Sequence, residues 1–172
     1  MQPGVLLLTY LANVALLSLA LALVEIVMEK GNGWGSGLNQ RTWGRKLWQG
    51  SLIARLCEKQ YVTLYHAVMF AMALPAVFIT EYLVAVRIGV VQGSWLRGAL
   101  FVAASWLLLC VLEDALWFAL NWYYPGSWRD LIAGRIWWHT RWWRFGRIHL
   151  PGFYVWGLAL SAVAMAMAVW RP

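Results

Sequence analysis

The chain has 172 residues, of which 62% are hydrophobic and 12% are charged, and its formal net charge is +7. Soluble domains usually contain about 25% charged residues, and a domain of this length could not bury so much apolar surface inside itself. The composition therefore excludes an ordinary soluble domain and indicates a membrane protein.

Four apolar stretches are long enough to cross a membrane as helices. A spanning helix needs about 20 mostly apolar residues at a rise of about 1.5 Å per residue. The predicted spans are residues 5–28, 61–86, 98–122 and 151–170. We expect the first span to be retained, because it is longer than the apolar core of a signal peptide, roughly 7–15 residues. The sequence predicts an all-α integral membrane protein, with residues 1–172 forming one four-transmembrane-helix bundle.

The basic residues orient these spans. The two long loops, residues 29–60 and 123–150, carry eleven of the fourteen Lys and Arg residues, whereas the other side carries only Arg87, Arg97 and Arg171. Lys and Arg accumulate in cytoplasmic loops. We therefore expect both termini to lie outside the cytoplasm and both long loops to be cytoplasmic.

Each long loop combines aromatic residues with basic ones. In residues 41–58 apolar side chains recur at helical spacing among Lys and Arg, and residues 127–146 contain the run WWHTRWWR. Such patterns favour amphipathic helices lying in the headgroup plane and contacting membrane lipids. The sequence thus predicts two interfacial helices, at residues 41–58 and 127–146. A nucleic-acid partner is excluded here, because the interleaved aromatics and flanking spans already account for the basic residues.

The arginines of the second long loop are candidate substrate-binding residues. Arginine binds phosphate through bidentate contacts, which suits an anionic lipid or an isoprenoid phosphate. The candidates in this loop are Arg135, Arg141 and Arg144. The alternative is that this stretch only anchors the loop at the interface.

Several ionisable residues fall within or beside the predicted spans, where a charge at the membrane centre costs about 2.5–3.5 kcal/mol. The predicted orientation brings six polar residues to one level near the cytoplasmic side: Glu25, Glu29, His66, Glu113, Asp114 and Asn121. On the first helix a small and polar stripe should face the bundle, formed by Ala15, Ser18, Ala22, Glu25 and Glu29. Pro75 should interrupt the second helix and free a backbone carbonyl that a neighbour must satisfy.

The stretch VLEDALWFALNW contains two adjacent acids, Glu113 and Asp114. Neighbouring residues on a helix point about 100° apart, so both cannot point straight into one site. Asp114 shares a face with Asn121, whereas Glu113 lies with Trp106. We expect one acid to be central and the other peripheral.

Carboxylates and imidazoles together are ligands for non-haem iron, manganese or zinc. The candidate metal ligands are Glu25, Glu29, His66, Glu113, His139 and His149. The diagnostic spacings Glu-x-x-His and His-x-x-x-His are absent, so metal binding remains one interpretation among three. Without a metal, paired carboxyl groups could carry out acid/base chemistry, or they could simply bond neighbouring helices and fix their packing.

Three functions are compatible with these residues. The chain could be an enzyme acting on a lipid or isoprenoid by acid/base or metal-assisted chemistry, with Glu113, Asp114 and His66 as catalytic residues and Asn121 among the substrate-binding ones. It could instead be an accessory or structural subunit of a larger respiratory or pigment-binding membrane complex. An ion-coupled transporter is the third possibility, although four spans without an inverted repeat would need to oligomerise to form a pathway.

Overall fold

Four long helices dominate the structure, a computed structural model that describes residues 3–47 and 61–170. They are α1 (Pro3–Glu29), α2 (Leu64–Arg87), α3 (Trp95–Leu120) and α5 (Gly152–Val169). Every predicted span boundary lies within three residues of these bounds. All four helices are long and apolar enough to cross a membrane. Large apolar side chains such as Leu83 and Val163 remain more than half exposed on their outer faces, which suits contact with hydrocarbon.

Helix α3 is the centre of the bundle, because it packs against α1, α2 and α5. Two contacts bring α3 close to α5. A Cβ atom on Gly157 would lie only 3.0 Å from a methyl group of Val111, and the Ser161 hydroxyl donates to the Ala104 carbonyl at 2.8 Å. Small residues and interhelical hydrogen bonds are the usual means of helix association in membranes, where no hydrophobic force acts between helices.

The stripe predicted on α1 is confirmed over most of its length. Ser18, Ala22, Glu25 and Glu29 are all buried against the rest of the bundle. Ala15, three residues before Ser18, is exposed instead. The buried stripe continues through Val14, four residues before Ser18, because residues four apart also share a helix face.

Helix α2 contains a π-helical segment, Met69–Ala73, immediately before Pro75. Leu74 follows this segment directly, and its N–H donates to the Met69 carbonyl, five residues back. The next bond of that register would join residue 75 to the Phe70 carbonyl, but proline has no N–H. The Trp106 indole N–H donates to the Phe70 carbonyl instead, at 2.6 Å. The structure therefore contains both the free backbone carbonyl that Pro75 predicted, at Phe70, and a donor from a neighbouring helix, Trp106.

The predicted interfacial helix at residues 127–146 is wrong beyond residue 132. The chain forms only a short helix, α4 (Ser127–Ile132), followed by turns and an antiparallel hairpin of β3 (Trp142–Phe145) and β4 (Ile148–Pro151). Gly134 and Gly146 adopt left-handed conformations with φ of +69° and +61°. Glycine in this conformation ends a helix or forms a tight turn, which explains why the aromatic run does not continue as a helix.

The interfacial helix predicted at residues 41–58 is also wrong over its described part. Residues 41–47 form turns and a short strand, β1 (Lys46–Leu47), which pairs with β2 (Val62–Thr63) just before α2. This pairing holds the chain in an extended conformation before α2 begins. Residues 48–60 of the prediction lie outside the described residues.

Candidate metal centre

A cavity of about 370 Å³ lies at the end of the bundle where the two long loops meet the helices. Its polar lining consists of Glu25, Glu29, His66, Cys110, Glu113 and Asp114. Its aromatic lining consists of Trp34, Phe70, Trp106, Trp117, Trp138, Phe153 and Trp156. Four acids thus face an otherwise apolar space, and neither Lys nor Arg is among the lining residues in the described part of the chain.

Three side chains on the cavity wall lie close enough together that they could hold a metal ion. One ligand atom each from Glu25, Glu29 and His66 lie within 4.8 Å of one another, and all three residues are buried. Glu25 and Glu29 are four residues apart on α1 and therefore point from the same face of that helix. His66 meets them from the first turn of α2.

Two neighbours orient the His66 ring. The Thr63 hydroxyl lies 2.5 Å from His66 Nδ1, and the Trp34 ring stacks on the imidazole with 4.1 Å between ring centroids. Thr63 is also the N-cap of α2, because its hydroxyl accepts the His66 backbone N–H at 3.3 Å. Since Nδ1 is engaged by Thr63, Nε2 is the ring nitrogen that this arrangement makes suitable as a metal ligand.

The turn after α1 forms one wall of the site. The Gly35 backbone N–H donates a hydrogen bond to the Glu29 carboxylate. Gly35 has a φ of +69°, and a Cβ atom there would lie 2.6 Å from the Thr63 methyl group and 3.3 Å from His66 Cε1. Only glycine avoids both the backbone strain and the collision. Nearby, burial and the charge of Glu29 raise the pKa of the Tyr61 hydroxyl, so Tyr61 stays neutral beside the site.

Glu113 adds a third carboxyl group to the centre. Glu113 is buried and lies close enough to Glu25 for the two carboxyl groups to interact electrostatically. Two neighbouring carboxylates in a low-dielectric interior repel each other unless a proton or a cation offsets their charge. The arrangement therefore favours a cation or a retained proton.

Asp114 lies on another part of the same wall. It accepts a hydrogen bond from the Tyr154 hydroxyl at 2.7 Å, and its carboxylate lies 3.2 Å from His139 Nε2. His139 comes from the second long loop and is buried among aromatic rings. The two adjacent acids therefore both line the cavity, Glu113 beside Glu25 and Asp114 beside the loop histidine.

The structure places the other predicted site residues away from the cavity lining. Asn121 bonds the Lys30 carbonyl at 2.8 Å and accepts the Tyr123 N–H at 2.9 Å, so it joins the ends of α1 and α3. Arg135 forms an exposed ion pair with Asp130, with an N–O distance of 2.6 Å.

The last three predicted residues lie on or beside the hairpin. Arg144 donates to the Gly146 carbonyl at 3.1 Å, Arg141 is exposed, and the half-buried His149 is on β4. The metal role predicted for His149, like the substrate roles of Asn121 and the three arginines, stays a prediction.

Sequence reasoning missed Trp34, Gly35, Thr63 and Tyr154. One signal was available for Thr63, because a threonine three residues before His66 at the start of an apolar run is typical of an N-cap. The other three come from turns and a separate helix, and their contacts depend on tertiary packing.

No family model matches this chain, and neither a curated protein nor a solved structure is significantly similar to it.

Proposed function

We propose that this chain is a membrane enzyme that binds a divalent transition metal through Glu25, Glu29 and His66 and acts on an apolar, membrane-dissolved substrate in the adjoining cavity. The observation that carries the proposal is the approach of the three buried ligand atoms to within 4.8 Å of one another on the wall of a cavity of about 370 Å³.

Charge balance supports a divalent cation. Two carboxylates and a neutral imidazole offset a charge of +2, which reduces the large cost of burying an ion. An imidazole with carboxylates suits Zn²⁺, Fe²⁺ or Mn²⁺. Three protein ligands leave coordination positions open, as catalytic metal sites require.

The lining of the cavity indicates the class of substrate. A bound metal would act as a Lewis acid on an oxygen of the substrate or make a coordinated water acidic. Glu113, next to Glu25, would hold or transfer a proton at the metal, and Asp114 with His139 would do so at another part of the same wall. The tryptophan and phenylalanine rings would enclose an apolar substrate body, such as a lipid or an isoprenoid.

The proposal also gives this chemistry a side of the membrane. The eleven basic residues in the two long loops favour a cytoplasmic position for that end of the bundle. The proposal therefore puts the metal at the cytoplasmic leaflet, with both termini outside the cytoplasm and the surrounding helices in contact with lipid.

Metal analysis of the purified protein tests the proposal. The wild type, Glu29→Gln and His66→Ala would be purified in mild detergent, incubated with Zn²⁺, Fe²⁺ or Mn²⁺ and desalted. We expect about one metal per chain in the wild type, and a loss of at least about tenfold in affinity for each variant, in the range seen when groups supporting a metal site are removed.

Glu81→Gln is the matched control, since Glu81 lies toward the other end of α2 and accepts a hydrogen bond from Asn13 rather than joining the cluster. Its metal content should equal that of the wild type. A wild-type protein that retains none of the three metals, or variants that retain as much as the wild type, would contradict the proposal.

One observation favours a second candidate, an accessory subunit of a larger membrane complex. Aromatic side chains of the second long loop are about half exposed, including Trp128, Trp137, Trp143 and Phe145. They could contact lipid headgroups or another subunit. Native purification in mild detergent distinguishes the two, because an accessory subunit should copurify with stoichiometric partners and an independent enzyme should run alone.

A further inference from the structure

A second cavity follows the outer surface of the bundle between α2 and α3. It has a volume of about 710 Å³ and is lined by residues of both helices. On α2 the lining residues Ala71, Pro75, Ile79 and Leu83 are spaced four apart and form one stripe along the helix. This space, which we term the α2/α3 groove, therefore runs along the bundle rather than across it.

Small side chains form the side of the groove that belongs to α3. Ala99 and Ala103 line it and are exposed. Exposed alanines at this position leave space between the helices, whereas small residues at a closed helix contact would be buried. The groove is thus open along its side to whatever surrounds the helices, which in a membrane is hydrocarbon.

Tyr82 and Trp106, two side chains with polar groups that line the groove, have hydrogen-bond partners within the protein. The hydroxyl of Tyr82 donates to the Ser94 carbonyl at 2.7 Å and accepts the Ser94 N–H at 2.8 Å. None of the residues that line the groove, in the described part of the chain, is charged. An occupant of the groove must therefore be apolar over this length.

The groove meets the site cavity at three residues that line both spaces, Phe70, Ala71 and Trp106. The meeting point is the π-helical segment, where Trp106 donates to the Phe70 carbonyl at 2.6 Å. From Ala71 to Leu83 the groove extends for about 18 Å at 1.5 Å per residue, more than half of a hydrocarbon core about 30 Å thick. One end of a long molecule could thus lie in the cavity while the rest lies in the groove.

We propose that the α2/α3 groove holds the hydrocarbon chain of a single-chain amphiphile, whose oxygen-bearing head reaches the Glu25, Glu29 and His66 cluster past Phe70 and Trp106. This inference rests on the proposed function, and it specifies both the substrate class and its route: a long-chain lipid or isoprenoid that arrives sideways from the membrane. The head requires the polar cavity, and the tail requires an uncharged groove that adjoins it.

Photolabelling in nanodiscs of phosphatidylcholine tests the proposal with the full chain. The probe is a long-chain fatty acid carrying a diazirine near its methyl end, and labelled peptides are identified by mass spectrometry. We expect label on α2 and α3 residues of the groove, and we expect unlabelled fatty acid to compete for it.

Two variants separate the groove from the general lipid surface. Ala103→Phe places an aromatic ring where the tail would lie, so its labelling should fall by at least about fivefold, which corresponds to a loss of about 1 kcal/mol of binding free energy. Ala166→Phe makes the same change on the exposed face of α5 and should label as the wild type does. His66→Ala should also reduce labelling, because the head loses its anchor.

Several outcomes would overturn the proposal. Label spread evenly over all four helices would identify ordinary bilayer lipid, and labelling that is unchanged in Ala103→Phe would place the tail elsewhere. A groove protected by a second copy of the chain, detected by cross-linking, would identify a dimer interface. Metal analysis of the same samples keeps the two proposals distinct. A wild-type protein without metal would contradict the proposed function. A metal-loaded wild type without label in the groove would contradict only the proposal that the groove holds an amphiphile.

Discussion

The indole N–H of Trp106 on α3 donates a hydrogen bond to the backbone carbonyl of Phe70 on α2, at 2.6 Å. The bond compensates for Pro75, which cannot supply the backbone N–H that the π-helical register requires. It also fixes the tryptophan ring between the site cavity and the α2/α3 groove. A local defect in α2 thus becomes an interhelical contact beside the candidate site.

Replacing Trp106 by phenylalanine should lower the free energy of unfolding by about 1 kcal/mol, since interhelical hydrogen bonds within membranes are worth roughly 0.6–1.7 kcal/mol. The loss should be smaller in a Pro75→Ala background, because the restored backbone N–H can bond the Phe70 carbonyl. Denaturation of both single variants and the double variant in mixed micelles measures this coupling. An equal loss in both backgrounds would contradict the role assigned to Pro75.

Metal should stabilise the folded chain. A metal present at 100 times its dissociation constant adds about 2.7 kcal/mol to the free energy of unfolding, so the unfolding temperature should rise on addition of the preferred ion and fall again with a chelator. Glu29→Gln should abolish this response, whereas Glu81→Gln should retain it. Thermal unfolding followed by circular dichroism measures the shift, and an identical rise in Glu29→Gln would show that the ion binds elsewhere.

Gly35→Ala should lower the metal affinity of the site in addition to lowering the stability of the protein. The left-handed conformation costs a non-glycine residue about 1–2 kcal/mol, and the added Cβ would also displace Thr63 and the His66 ring. Gly89→Ala is the control, because Gly89 has a φ of +74° with nothing within 4 Å of its Cβ position. Both variants should lose stability, but only Gly35→Ala should lose metal affinity, as measured by equilibrium dialysis.

Tyr154→Phe should reduce stability by about 1.5–3 kcal/mol, the usual contribution of a hydrogen bond to a charged group, because its hydroxyl donates to Asp114 at 2.7 Å. Tyr123→Phe, which alters a tyrosine that is 46% exposed, should be nearly neutral. If the bond acts through Asp114, the loss should shrink in an Asp114→Asn background. Unfolding titrations of the wild type, Tyr154→Phe, Asp114→Asn and the double variant complete this double-mutant cycle.

The candidate site was predictable in part. Glu25 and Glu29 belong to a stripe whose spacing indicates the buried face of α1, and His66 falls at the same level once loop charge orients the helices. The loops were less predictable, because the aromatic and basic pattern of the WWHTRWWR run suits an interfacial helix but occurs here in turns and a hairpin. The left-handed conformations of Gly134 and Gly146 favour the turns and the hairpin over a helix. The periodicity of the apolar residues does not reveal these conformations.

The sequence by itself determined the four helices long enough to span a membrane and their bounds to within three residues. It also indicated that Glu25, Glu29, Glu113 and Asp114 lie toward the same end of the bundle. These are local properties, because hydrocarbon thickness sets helix length and composition sets apolarity. Only the tertiary structure decided that ligand atoms of Glu25, Glu29 and His66 converge within 4.8 Å and that the adjacent Glu113 and Asp114 both line one cavity. Such contacts depend on how each helix is rotated and paired, and in a membrane that is set by small residues and interhelical hydrogen bonds distributed over the whole bundle.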